Sequence, residues 1–242
     1  MILLMTPAMA VLCIYVLAAV LPAIYLMRYI YRMDKVEKEP LPVLFQLAWY
    51  GVLAALLAMA LEIIFEDILL PEFHIANSAV LSVLTATAVG LIEEGCKFVL
   101  LRRRTWEDMN FNYRYDGIVY AVFVSLGFAA FENILYVFRY GLEVAPTRAL
   151  LAVPGHFGFA VIMGMFYGRA KVCHVHGDEV GVDVNLWISF LLASILHAFY
   201  DATALIDSSA STIVFLIFVI IMYGVIYRLV HKEANMDSPL GF

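Results

Sequence analysis

Glu93 and Glu94 stand side by side in the stretch GLIEEGCKFVLLRRR, and Lys97 follows one helical turn later. No charged residue precedes them from Asn77 to Ile92. Three other apolar stretches hold comparable groups: Glu132 with Asn133 in GFAAFENILYVF, His156 in VPGHFGFAVIMGMFYG, and His197 with Asp201 in ILHAFYDATALI. Carboxylates can take a proton from water, and imidazoles can polarise a carbonyl or ligate a metal. Asp201, four residues after His197, shares its helix face and can fix its tautomer. Glu93 and Lys97 have the same spacing, and their pairing leaves Glu94, about 100° round the helix, for separate work. An ionised group at mid-bilayer costs on the order of 3 kcal/mol or more, so each must be paired, wet or functional.

Each group also has a structural reading. Glu93 with Lys97 could be an ion pair that fixes helix register, and His197 with Asp201 a hydrogen-bonded support. His156 beside Pro154 and Gly155 could be a helix-entry residue, and Glu132 with Asn133 could join helices. Four such features in one chain favour a shared site. The chain contains no HExxH, GxSxG, P-loop or GxGD motif, which removes the commonest metallopeptidase, serine-hydrolase and nucleotide-binding signatures. Three classes remain: a water-activating hydrolase with or without a metal, a proton- or cation-coupled transporter, and a noncatalytic scaffold subunit with a polar core.

The elements that must position these groups are membrane helices. Of 242 residues 64% are hydrophobic and 15% charged, a composition that implies an all-α polytopic membrane protein and gives no nucleic-acid surface. Cys13, Cys96 and Cys173 lie far apart and read as packing residues. Seven stretches are long enough to span a bilayer, near residues 4–27, 43–61, 79–101, 117–138, 148–168, 186–206 and 211–230. The first lacks a basic leader segment and reads as an uncleaved span. The connections are too short for a separate domain, so residues 1–242 read as a single membrane domain.

Twelve of the fifteen Lys and Arg residues fall in alternate connections, among them Arg102, Arg103 and Arg104; the other side receives Arg139 and Arg148, and Lys97 lies within a span. The positive-inside rule then puts the amino terminus outside and the carboxyl terminus in the cytoplasm. The acidic connection from Glu62 to Ser78, with no Lys or Arg, agrees. With about 1.5 Å of rise per residue, all the polar groups fall within roughly 8 Å of the bilayer centre. They share one depth, which opens the possibility of one site.

Taken in order, EEGCK at Glu93 to Lys97, FAAFEN at Phe128 to Asn133 and HAFYD at His197 to Asp201 resemble the EExxK, FxxxEN and HxxxD motifs of the PrsW family of intramembrane proteases, relatives of the type II CAAX-prenyl proteases. YRMDKVEKEP after the first span and the glycine-flanked His156 are similar to further family features. The resemblance implies an intramembrane endopeptidase, glutamate-dependent and often described as a metalloprotease. It would be a multi-pass protein of a bacterial-type plasma membrane, cutting a single-span membrane protein near the outer leaflet. One family substrate is an anti-sigma factor. Carried over, the catalytic residues would be Glu93, Glu94, Glu132 and His197, supported by Lys97, Asn133 and Asp201. In a metal-dependent version Glu132, His156 and His197 would hold zinc. Glu132 stands where the CAAX-protease relatives carry a histidine, so metal ligation and acid–base roles do not transfer simply.

Overall fold

The computed structural model describes residues 6–241. Seven long helices run through them: α1 (Pro7–Met33), α2 (Leu41–Ile64), α3 (Ser78–Thr105), α4 (Asp116–Tyr140), α5 (Val153–Val175), α6 (Glu179–Leu205) and α7 (Ser209–Asn235). No β-strand occurs among the described residues, which hold one isolated bridge, Tyr113 to Pro239. The start of the first expected span, residues 4 and 5, lies outside the described residues. Six of the helices are long and apolar enough to cross a membrane by length and composition. The remaining one, α2, has 24 residues with Glu62 as its single charge, and packs along α3 and α4.

Helix ends follow local chemistry. Asn77, Asp178 and Ser208 each accept a backbone N–H with their side chain to cap α3, α6 and α7. Arg102, Arg103 and Arg104 fill the last turn of α3, where cations complement the helix dipole. That end is called the basic end below.

The helices α2, α3, α6, α5 and α4 contact one another in that cyclic order and close a ring, with α1 and α7 packed outside it. The outward surface is apolar, as a lipid-facing surface should be: Phe45, Trp49 and Ile220 are among its most exposed side chains. Polar groups are turned inward. The ring is tight because small residues let backbones meet. A Cβ on Gly51 would stand 2.0 Å from the Val124 carbonyl oxygen, and one on Gly127 would stand 2.1 Å from that of Ala48, so α2 and α4 are in backbone contact. Gly90 does the same for α3 and α6, with a Cβ position 2.9 Å from the Ser194 carbonyl oxygen. That contact lies one turn from Glu94 and one turn from His197, and it brings these two side chains within bonding distance.

At the basic end the carboxyl-terminal tail is tied to the connection before α4. Leu240 N–H donates to the Asn112 carbonyl at 2.8 Å, Tyr115 N–H to Asp237 at 3.0 Å, and Arg114 pairs with Glu233 at 2.8 Å. Asp34 and Glu39, between α1 and α2, are buried against this region, and Tyr120 donates to Glu39 at 2.7 Å. Desolvation raises both carboxyls above the ordinary range, Asp34 to about 6 and Glu39 to about 7.

Candidate active site

Four helices of the ring, α3, α4, α5 and α6, contribute to one polar cluster. From α3, the Lys97 ammonium donates to Glu93 Oε2 at 3.0 Å and to Glu94 Oε1 at 2.8 Å. One ammonium thus serves both carboxylates, where spacing had suggested a pair with Glu93 alone. Its third proton points to His156 Nδ1 on α5 at 3.1 Å, and the ammonium rests on the Phe128 ring from α4, 3.8 Å from its centroid. Because lysine only donates, Nδ1 of His156 must accept. Its proton is therefore on Nε2, which faces Glu132 Oε2 at 3.0 Å.

His197 on α6 completes the group. Its Nδ1 lies 3.0 Å from Glu94 Oε1 and its Nε2 3.3 Å from Asp201 Oδ2. Each ring nitrogen faces a carboxylate, the geometry of an imidazolium that donates twice. The ring stacks on Phe159 at 4.8 Å between centroids.

The two adjacent glutamates have different surroundings. Glu94 is 0% exposed, and its Oε2 has no hydrogen-bond partner. It faces Lys97 and His197 and does not line the cleft described next. Glu93 is 6% exposed and does line it. Its Oε2 is held by Lys97, and among the described residues no hydrogen bond to its Oε1 occurs.

A cleft of about 770 Å³ leads to the cluster, a volume that suits a segment of extended peptide. Glu62, Glu93, Glu132, Arg148, His156 and His197 are among its polar lining residues. Its walls come from the halves of α2, α3, α4 and α6 that lie away from Arg102, Arg103 and Arg104, so it opens toward the end opposite the basic end.

Seven of the eight residues expected from sequence therefore meet: Glu93, Glu94, Lys97, Glu132, His156, His197 and Asp201. Asn133 turns away from the cleft. It donates to the Ala19 carbonyl on α1 at 3.1 Å and accepts from Arg148, which joins α1 to the ring.

Arg148 and Glu62 stand out among the lining residues that the sequence does not single out. Arg148 pairs with Glu132 at 2.9 Å and covers the Tyr136 ring at 3.8 Å. It is carried by a π-helical turn, Arg148–Ala152, that precedes α5. In sequence it counted only as a topological charge. Glu62, near the end of α2, lines the same cleft with Oε1 unpartnered. The sequence reads it as the start of an acidic connection, although its i, i+4 spacing from Glu66, another lining residue, is a visible hint.

The metal question takes a definite form here. Donor atoms of Glu93, Glu94, His156 and His197 all lie within 4.8 Å of one another, a spacing that could hold a metal ion. Glu132, expected among the ligands, is not in this group; it sits on the far nitrogen of His156. The Lys97 ammonium, however, stands among the four donors, hydrogen-bonded to three of them. As folded, the donor set surrounds an ammonium.

Comparison with known proteins adds independent information. Residues 39–226 match the family described as PrsW family intramembrane metalloprotease. Among curated relatives, the Protease PrsW of Geobacillus kaustophilus is 38% identical over 184 residues, which cover 76% of this chain and 76% of that protein. That of Oceanobacillus iheyensis is 33% identical, covering 91% of this chain and 96% of the relative. That of Bacillus subtilis is 35% identical, covering 76% and 79%. No solved structure matches the chain.

Proposed function

Since the chain belongs to the PrsW family of intramembrane proteases, we propose that it hydrolyses a peptide bond of a single-span membrane protein with a water activated by Glu93. The observation that carries this reading is that Glu93 lines a cleft large enough for a peptide while Lys97 engages only its Oε2. A base must reach the water it deprotonates, and Glu93 meets this requirement where the enclosed Glu94 does not.

The remaining residues take roles from their contacts. Water attacks the scissile carbonyl carbon as Glu93 accepts one of its protons, and the carbonyl oxygen becomes an oxyanion. His197 lines the cleft with its charge held by Glu94 and Asp201, and it stabilises that oxyanion. Collapse of the tetrahedral species breaks the C–N bond, and the departing amine takes back the proton held by Glu93. Glu132, fixed by His156 and Arg148, forms the opposite polar wall and orients the peptide. Lys97 compensates the charge of both adjacent glutamates, so that Glu93 can be ionised in an apolar surrounding.

With the amino terminus outside and the basic end in the cytoplasm, the cleft opens to the outer leaflet. The substrate then enters between helices from that side, and an anti-sigma factor is the substrate class implied by the family resemblance. Comparative membrane proteomics of cells carrying the wild type or Glu93→Gln tests the reading. An uncut single-span protein should accumulate with the variant. Identical fragment profiles in the two strains would count against it, and solute uptake by liposomes without peptide cleavage would point to transport instead.

A further inference from the structure

We infer that the Lys97 ammonium is the resident cation of the Glu93, Glu94, His156 and His197 donor set, and that ammonium and zinc exclude one another there. Three observations carry this. First, the ammonium directs its three protons to Glu93 Oε2, Glu94 Oε1 and His156 Nδ1, at 3.0, 2.8 and 3.1 Å. A zinc bonded to those same atoms, at the roughly 2.0–2.2 Å such ligands require, would have to take the space of Nζ. A protonated amine has no lone pair and cannot join the ligand set instead.

Second, the histidine nitrogens that face the donor set are already engaged within it. The lone pair of His156 Nδ1 receives Lys97, and its Nε2 faces Glu132. Both nitrogens of His197 face carboxylates. Third, Lys97 is locked in position. It is 1% exposed, it sits on the face of Phe128, and its partners are spaced at i−3, i−4 and across to α5. Leaving this position would take from Glu93 its hydrogen-bonded cation and from Glu94 one of its two, a loss of several kcal/mol in an apolar interior.

Lys97 thus supplies the positive charge that a metal would bring to the two glutamates. It does so without the open coordination position that a catalytic zinc requires. The inference concerns the same site as the proposed peptidase activity but does not rest on it, because metal content is measured without substrate.

The test is metal analysis of purified protein in detergent after exposure to excess zinc and removal of free ion. Wild type should retain no stoichiometric zinc, whereas Lys97→Met should retain about one equivalent, lost again when His156→Ala is added. Lys97→Gln, which keeps a polar side chain of similar reach, repeats the measurement should the methionine variant fail to fold. One equivalent of zinc on wild type, removed by Glu93→Gln or His156→Ala, would overturn the inference. So would wild type and folded Lys97 variants that are all zinc-free, because the ammonium would then not be what keeps zinc out.

Discussion

Glu94→Gln separates support from catalysis, because Glu94 is enclosed while its neighbour Glu93 reaches the cleft. The carboxylate accepts from Lys97 at 2.8 Å and from His197 at 3.0 Å, both charge-assisted bonds. A glutamine can keep its oxygen on these donors, but the anion that both cations face is gone, and with it the Coulomb attraction of each pair. Its amide nitrogen then occupies the place of Oε2, which has no partner, and adds a buried unsatisfied donor worth about 1–3 kcal/mol. Lys97 retains Glu93 and His197 retains Asp201, so neither cation is left bare. Removing the charge of one partner of a buried pair costs about 3–5 kcal/mol of stability. At about 2–4 °C per kcal/mol for a chain of this size, the thermal midpoint in detergent should fall by about 6–20 °C. Wild type and variant are compared by intrinsic fluorescence on heating. An unchanged or higher midpoint would refute the argument that Glu94 is a structural anion held by two cations.

Other substitutions probe separate parts of the account. Gly127→Ala places a methyl 2.1 Å from a backbone oxygen of α2 and should cost about 1–3 kcal/mol or more of stability, whereas Gly224→Ala meets open space and should be neutral or mildly stabilising; folded yield and thermal midpoint separate the two. Arg148→Met removes the ion pair with Glu132 and the charge-assisted bond that Arg148 Nε donates to Asn133, and with about 1.5–3 kcal/mol lost, cleavage should slow roughly tenfold to a hundredfold in a reconstituted assay. Burial raises Glu39 from 4.5 to about 7, so the folded state holds a proton that the unfolded chain releases more readily. The associated stability is complete below pH 4.5 and is lost as pH rises through about 7, a slope in the thermal midpoint that Glu39→Gln should flatten.

The parts of the site legible in sequence were those written within a single helix. The i, i+4 spacings of Glu93 to Lys97 and of His197 to Asp201 are contacts in the structure, and the shared depth of the polar groups becomes convergence. Contacts across helices left no such trace. Lys97 reaching His156 and Glu94 reaching His197 depend on how the helices rotate and how closely they approach, which Gly90 permits but does not announce. Asn133, adjacent to Glu132 in sequence, points to another neighbour because successive helix residues are turned by about 100°. Glu62 and Arg148 were hidden by their positions near the ends of apolar stretches, where charges ordinarily report topology. The seven expected helices are present, and several run past the apolar segments, as α6 does by beginning at Glu179 and not near 186.

The most direct test of the central claim is the cleavage rate of Glu93→Gln on the single-span substrate, both reconstituted in liposomes. Loss of a general base should lower kcat by about 10²–10⁴-fold. The substrate should still bind, because the cleft walls formed by Glu132, Arg148 and His197 are untouched. A folded Glu93→Gln protein that cuts at the wild-type rate would contradict the account.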